Sequence, residues 1–307
     1  MLNRLAHIFT RPFPYANKMS FFKRVLYIFL FINTLTLLPI AEELFGYYGI
    51  VGSGGWNTIT PWYAQGSRAL VNVLSHPING TYTWIYWVFI IGQLIGLTLG
   101  LLGVWRRLAA LMVYFFTVNL FLKGYLMFTG GEALINILLF YLIFINETAD
   151  TKSCNYKIQN VLNNTFFVIM LIQICVLYFF STLYKLIDPY WLSGEAMMYI
   201  SRVDAFSGDM MRNLFAENPM ISKLATWSVL AYQGLFSILV WIRKVKIPLL
   251  VIGVMFHLSI SFFMGIFAFG VIMTITYILF LEDKHIERFN NWFSRRKKLA
   301  LETNHTD

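Results

Sequence analysis

Apolar residues run in long blocks along this chain, and polar positions gather in the short intervals between them. The blocks are approximately Phe21 to Ile40, Tyr82 to Trp105, Leu108 to Met127, Glu132 to Asn146, Thr165 to Leu186, Lys223 to Ile242, Ile247 to Met264 and Gly265 to Leu281. A helix needs about 20 apolar residues to cross the hydrocarbon of a bilayer. Blocks of this length with so few charges exceed what one buried core requires. The pattern predicts an all-α, polytopic integral membrane protein with about eight transmembrane helices, the shorter ones tilted or joined by tight turns.

The polar intervals set an orientation, because Lys and Arg concentrate on the cytoplasmic side of a membrane. The basic clusters are the N-terminal one (Arg4, Arg11, Lys18, Lys23, Arg24), Arg106-Arg107, Lys152 with Lys157, Arg243-Lys244 with Lys246, and Arg295 to Lys298. All fall on one side when each block crosses once. Both termini are then cytoplasmic and the protein sits in the cell (inner) membrane. Residues 1–20 form an amphipathic approach and 282–307 a basic tail on the anionic leaflet. The whole of 1–307 reads as a single membrane domain, and the first span as retained, since no small-residue cleavage site follows it. Two longer segments, Glu42 to Thr81 and Ile187 to Ile221, face outward and are expected to be partly helical, forming a lid. Their Trp and Tyr residues are equally those of an interfacial aromatic belt.

Composition agrees: 58% of residues are hydrophobic and only 13% charged, against roughly 25% charged in soluble domains. The net charge of +9 sits in short loops, so nucleic acid is not an expected partner and membrane lipid is. The two cysteines, Cys154 and Cys175, have neither CxxC nor metal-ligand spacing. No nucleophile elbow, P-loop or dinucleotide fingerprint occurs. Asn79-Gly80-Thr81 fits a glycosylation acceptor.

Candidate chemistry lies where polar side chains enter the blocks. Lys185 shares a helical face with Ser181 and Tyr178 at the end of the fifth block, Glu132 pairs with Asn136 at the start of the fourth, and Asn119 with Lys123 at the end of the third. Unsatisfied polar groups are costly in lipid, so these faces are expected to turn inward and form a small polar cavity beneath the lid. Plainer roles stand beside each. Lys185 can snorkel, favour the helix dipole and pair with Asp188; Glu132 can cap its helix; His257 can be a neutral, packed histidine. Gln93 and Gln233 read as interhelical hydrogen-bonding groups.

Two stretches carry a resemblance. Tyr178-Phe-Phe-Ser-Thr-Leu-Tyr-Lys185-Leu, followed by Pro189-Tyr-Trp191-Leu-Ser-Gly194-Glu-Ala196, resembles the core motif of the HTTM (horizontally transferred transmembrane) family, which includes the membrane part of vitamin K-dependent gamma-glutamyl carboxylase. Gly130-Gly131-Glu132-Ala-Leu, Phe256-His257-Leu258, and Met264-Gly265 with Phe267 to Met273 resemble further segments of it. The resemblance implies an enzyme of carboxylase-like lyase or oxidoreductase type, in which Lys185 is the base that deprotonates a lipid quinol. Glu132, standing where the carboxylase has a proton-transferring histidine, would be the relay. Tyr178, Ser181, Asn136, Trp191 and His257 would contact the substrate. A quinol is thus the implied cofactor; composition indicates none. The carboxylase's large lumenal domain has no counterpart here, so glutamate carboxylation is not expected. The alternative is a non-catalytic membrane partner in maturation or export of a secreted peptide.

Overall fold

The computed structural model describes residues 9–45, 85–123, 129–148, 154–288 and 291. Most of the first outer segment, with the Asn79-Gly80-Thr81 site, and most of the basic tail lie outside the described residues. Every described element is helical: α1 (Ala16–Leu37), α2 (Ala41–Phe45), α3 (Ile85–Leu102), α4 (Arg106–Lys123), α5 (Gly130–Phe144), α6 (Tyr156–Leu186), α7 (Pro189–Ser193), α8 (Ala196–Ile200), α9 (Asp209–Phe215), α10 (Pro219–Leu239), α11 (Arg243–Phe263) and α12 (Phe267–Thr276), with short 3₁₀ turns at Leu38–Ile40, Asp204–Phe206 and Tyr277–Phe280. Within the described residues each apolar block falls on a helix, the last of them on the ten-residue α12 and the 3₁₀ turn after it. Three stretches have by themselves the length and apolarity to cross a membrane: Ala16–Phe45, Tyr156–Leu186 and Arg243–Phe263. Tyr86–Leu102, Gly130–Phe144 and Phe267–Phe280 are apolar but shorter. The chain is an all-helical membrane protein.

The chain divides into two compact units, residues 23–146 and residues 1–22 with 147–307. In the first, α3 and α4 lie close along each other because Gly96 has no side chain. A Cβ there would come within 2.9 Å of the Met112 Cβ and 3.1 Å of the Val113 backbone nitrogen, the small-residue device by which membrane helices approach. Gln93 then ties helices together as a residue of its type should. Its Nε2 donates to Thr117 Oγ1 at 2.8 Å, and its Oε1 accepts from Thr34 Oγ1 at 2.9 Å, joining α1, α3 and α4 through buried side chains.

In the second unit α6 is the axis. Its first turns carry Gln159, Asn160, Asn163 and Asn164 on one buried face, an unusual set to bury. The N-terminal segment satisfies two of them: Asn164 Nδ2 donates to the carbonyls of Phe9 and Arg11 at 3.1 and 2.9 Å, and the Phe13 N–H donates to Asn160 Oδ1 at 3.3 Å, while Gln159 Nε2 donates to Asn163 Oδ1 at 2.8 Å. Tyr15 stacks on Phe167 at 4.4 Å, with the Lys18 ammonium 4.6 Å from the Tyr15 ring centre. At its other end α6 stops at Leu186, as the Asp188-Pro189 pair dictates. Asp188 caps α7 by accepting from the Tyr190 N–H at 2.8 Å. This corrects the expected pairing of Asp188 with Lys185: the carboxylate is taken up by the turn that the proline creates.

Residues 187–218 are the expected partly helical segment. Two bonds fasten its first half to α10: Met197 N–H donates to Thr226 Oγ1 at 3.1 Å, and Trp227 Nε1 donates to the Leu192 carbonyl at 3.2 Å. Gly194 makes the turn between α7 and α8 with φ +85°, a conformation that favours glycine.

Candidate functional site: the Lys185 cavity and the hydroxyl chain behind it

Lys185 occupies the last turn of α6, half-buried, and looks into a cavity of about 410 Å³. Its Nζ donates to Ser181 Oγ at 2.8 Å, and Ser181 Oγ donates to Gln233 Oε1 of α10 at 3.3 Å. The helical step of four residues places Ser181 directly under the lysine. The Trp191 ring, brought round by the Asp188-Pro189 break, has its centre 5.0 Å from Nζ, within reach of a cation–π attraction. Among the described residues no carboxylate lies within ion-pair distance of Lys185.

Apart from Ser259, the rest of the wall is apolar. It includes Met197 and Ile200 of α8, Met210, Met211 and Leu214 of α9, Val229 of α10, Phe256, Ile260 and Phe263 of α11, and Phe269 of α12. Among the described residues Lys185 is the one ionisable side chain lining it. A cation at one corner of an otherwise apolar chamber suits a ligand that is mostly hydrophobic and carries a hydrogen-bonding or acidic head.

Behind that wall runs a chain of hydroxyls. The Tyr178 hydroxyl lies 2.6 Å from His257 Nε2 and 2.5 Å from the Tyr277 hydroxyl, which lies 2.8 Å from that of Tyr232. Four elements contribute: α6, α11, the 3₁₀ turn after α12, and α10. His257 and Tyr178 are 0% and 1% exposed, so these bonds are the means by which buried polar groups are satisfied. Gly253, one turn before His257, makes room: a Cβ there would run into the hydroxyls of both Tyr232 and Tyr277. The chain abuts the cavity through shared neighbours. Phe256 packs on Tyr232, with ring centres 5.5 Å apart, and Phe269 on His257 at 5.8 Å.

The sequence candidates therefore fall into three places. Lys185, Ser181 and Trp191 line one cavity. Tyr178 and His257 meet each other behind it. Glu132 and Asn136 belong to the other unit, 23–146. There Glu132 completes a capping box, accepting from the Thr129 N–H at 2.7 Å and from the Thr129 hydroxyl. This is the plainer role foreseen for it. Tyr232, Tyr277 and the methionine-rich wall were not foreseen.

The comparisons with known proteins agree with the architecture. The HTTM domain matches residues 24–284, most of the chain, and the protein belongs to that family, a membrane domain associated with vitamin K-dependent carboxylase. The chain is also 26% identical over 193 residues to the uncharacterized protein YitO of Bacillus subtilis (strain 168), covering 58% of this chain and 61% of that one. The aligned region thus spans less than two thirds of that relative. No solved structure matches.

Proposed function

We propose that this protein is a multi-pass enzyme of the cell membrane that takes a lipid quinol into the Lys185 cavity, with Lys185 as the base. The observation that carries the reading is the setting of that lysine: half-buried, held by Ser181, facing an apolar chamber and unpaired with any described carboxylate. A lysine acting as base must be able to part with its proton, and an apolar wall without a counter-ion favours that. The step proposed is one proton transfer: the quinol O–H bond breaks, an N–H bond forms on Nζ, and a quinolate remains beside the ammonium.

Protection chemistry tests the site. In the full-length protein in lipid nanodiscs, reductive methylation labels Lys185, and a naphthoquinol in the bilayer should protect it saturably while leaving the exposed Lys223 reactive. Labelling of Lys185 that no quinol concentration alters would remove the reading.

The membrane topology belongs to the same proposal: about eight crossings with both ends cytoplasmic, supported by the basic intervals between blocks. Reporter fusions at Arg106 and at Asp204 should report opposite sides. The same side for both would refute it.

A further inference from the structure

We propose that Tyr178 is a redox-active tyrosine: it gives one electron to an organic peroxyl radical at the cavity wall and its phenolic proton to His257, and it is refilled by an electron from Trp241. This goes beyond the base role of Lys185 and does not depend on it. The first observation is that the hydroxyl chain serves packing poorly. Phenylalanine at Tyr178, Tyr232 and Tyr277 would fill the same space, and interhelical hydrogen bonds contribute little on average, whereas buried polar groups within membrane helices mark function by default. The second is the pair at its centre. The Tyr178 hydroxyl and His257 Nε2 stand 2.6 Å apart, fully buried. When the three hydroxyls donate in one direction, from Tyr232 to Tyr277 to Tyr178 to His257, each phenolic proton has an acceptor. A phenol that loses an electron becomes a strong acid and must shed its proton, and an imidazole nitrogen within hydrogen-bond reach takes it.

The third observation is that this proton can only return. His257 Nδ1 is buried and has no hydrogen-bond partner among the described residues, so a proton placed on Nε2 finds no onward path, and the imidazolium is a costly charge in so apolar a place. A proton-conducting chain needs an outlet at each end. This one suits a proton that rocks across a single hydrogen bond while an electron comes and goes. The fourth is a row of rings that gives the electron its path. From Phe256 on the cavity wall the Tyr232 ring lies 5.5 Å away and Tyr178 6.1 Å beyond it; Phe236 follows at 4.1 Å, Phe280 at 5.7 Å and Trp241 at 6.1 Å. Trp241 stands between α10 and α11, beside the basic Arg243–Lys246 interval, and is 51% exposed. One end of the row is thus at the cavity and the other at the surface. In the first step one electron leaves Tyr178 for the peroxyl radical, which becomes a peroxide anion; the phenolic O–H bond breaks and an N–H bond forms on His257 Nε2. In the second an electron from Trp241 reduces the tyrosyl radical, the N–H bond breaks and the O–H bond re-forms. Trp241 regains its electron from a water-soluble thiol, which becomes a thiyl radical as its proton passes to water.

Freeze-quench electron paramagnetic resonance tests this in the full-length protein in lipid nanodiscs, with peroxyl radicals made by photolysis of a lipid-soluble azo initiator under oxygen. A ring-difluorinated tyrosine placed at position 178 keeps the hydroxyl and the fold while marking its radical, because the fluorines split the signal. The wild type should show a neutral tyrosyl radical, and the fluorinated protein the same radical with the added splitting. His257→Gln keeps an acceptor for the Tyr178 hydroxyl but supplies no base, so it should lose the signal while its circular dichroism matches the wild type. Trp241→Phe, at the exposed end, should lengthen the half-life of the radical several-fold when the same thiol is present. A tyrosyl signal without fluorine splitting puts the radical on another residue and overturns the proposal, as does no tyrosyl signal at all, or one undiminished in His257→Gln. An unchanged half-life in Trp241→Phe overturns the path to the surface.

Discussion

Removing the Tyr178 hydroxyl should cost more stability than removing any other hydroxyl of the buried chain. Tyr178 is the node that reaches the histidine: one oxygen meets His257 Nε2 at 2.6 Å and the Tyr277 hydroxyl at 2.5 Å, whereas Tyr277 bonds the two other tyrosines, Tyr178 and, at 2.8 Å, Tyr232. Interhelical hydrogen bonds in membrane proteins average about 0.6 kcal/mol, with about 1.7 the largest seen. Two bonds therefore suggest about 1.2 kcal/mol for Tyr178→Phe. A further cost follows from what remains. His257 Nδ1 is buried and has no hydrogen-bond partner among the described residues, so loss of Tyr178 would leave the whole imidazole unsatisfied by them, and an orphaned buried group costs roughly 1–3 kcal/mol. The expected loss is about 2–4 kcal/mol for Tyr178→Phe, against about 0.6 kcal/mol for the half-buried Tyr232→Phe. Denaturation of the purified protein in mixed micelles, followed by circular dichroism, measures both. The variant Tyr178→Phe/Tyr232→Phe should depart from additivity, because both hydroxyls bond that of Tyr277 and members of one hydrogen-bond network couple. Tyr178→Phe no more destabilised than Tyr232→Phe would refute the reasoning, since the node would then carry nothing.

Further expectations concern other parts of the molecule. Gly253→Ala drives a methyl group into two hydroxyls and should destabilise by about 1–3 kcal/mol in the same denaturation assay; Gly208→Ala, where nothing lies within 4 Å, should not. Glu132→Gln retains an acceptor for the Thr129 N–H, because glutamine also serves at that place of a capping box. It should therefore preserve stability while abolishing any proton relay, and Glu132→Ala should lose both. Glu282 accepts from Lys284 at 2.7 Å and from Arg243 at 3.2 Å, and the hydrogen bond from Lys284, with the nearby positive charges, holds its carboxyl below the ordinary carboxylate range. A depressed value stabilises the fold above the ordinary range and loses that contribution as pH falls through it. Glu282→Gln should accordingly flatten the acid limb of a pH–stability profile, and more so at low salt than at high.

What was legible in the sequence follows from which interactions are local. The stop of α6 could be foreseen because the constraint sits in the Asp188-Pro189 peptide itself, and the Ser181–Lys185 contact because a four-residue step fixes it. Gln93 could be named as an interhelical group because a glutamine in an apolar helix has few other outlets. Tyr178 shows where such reasoning fails. It lies on the stripe of Lys185, but seven residues at 1.5 Å each place it about 10 Å further down the helix, below the cavity and opposite His257. Periodicity gives the face of a helix, not the depth at which a neighbour meets it. Tyr232 and Tyr277 escaped for a related reason: each is an ordinary aromatic in an apolar block, and only the packing of α10 against the 3₁₀ turn after α12 brings their hydroxyls together. The cavity wall joins α8 and α9 to the distant α10, α11 and α12, and no spacing signals it.

The central claim is that Lys185 takes a proton from a quinol. The most direct measurement is the absorption spectrum of the quinolate on mixing a tailed naphthoquinol, without oxygen, with the full-length protein in nanodiscs. Lys185→Arg retains the charge and much of the side-chain volume, but guanidinium stays protonated and cannot act as a base. The account predicts quinolate absorbance, stoichiometric with protein, for the wild type and for Lys223→Arg, and none for Lys185→Arg although the quinol still binds. Equal quinolate in all three proteins, or in none while the quinol is bound, would contradict it.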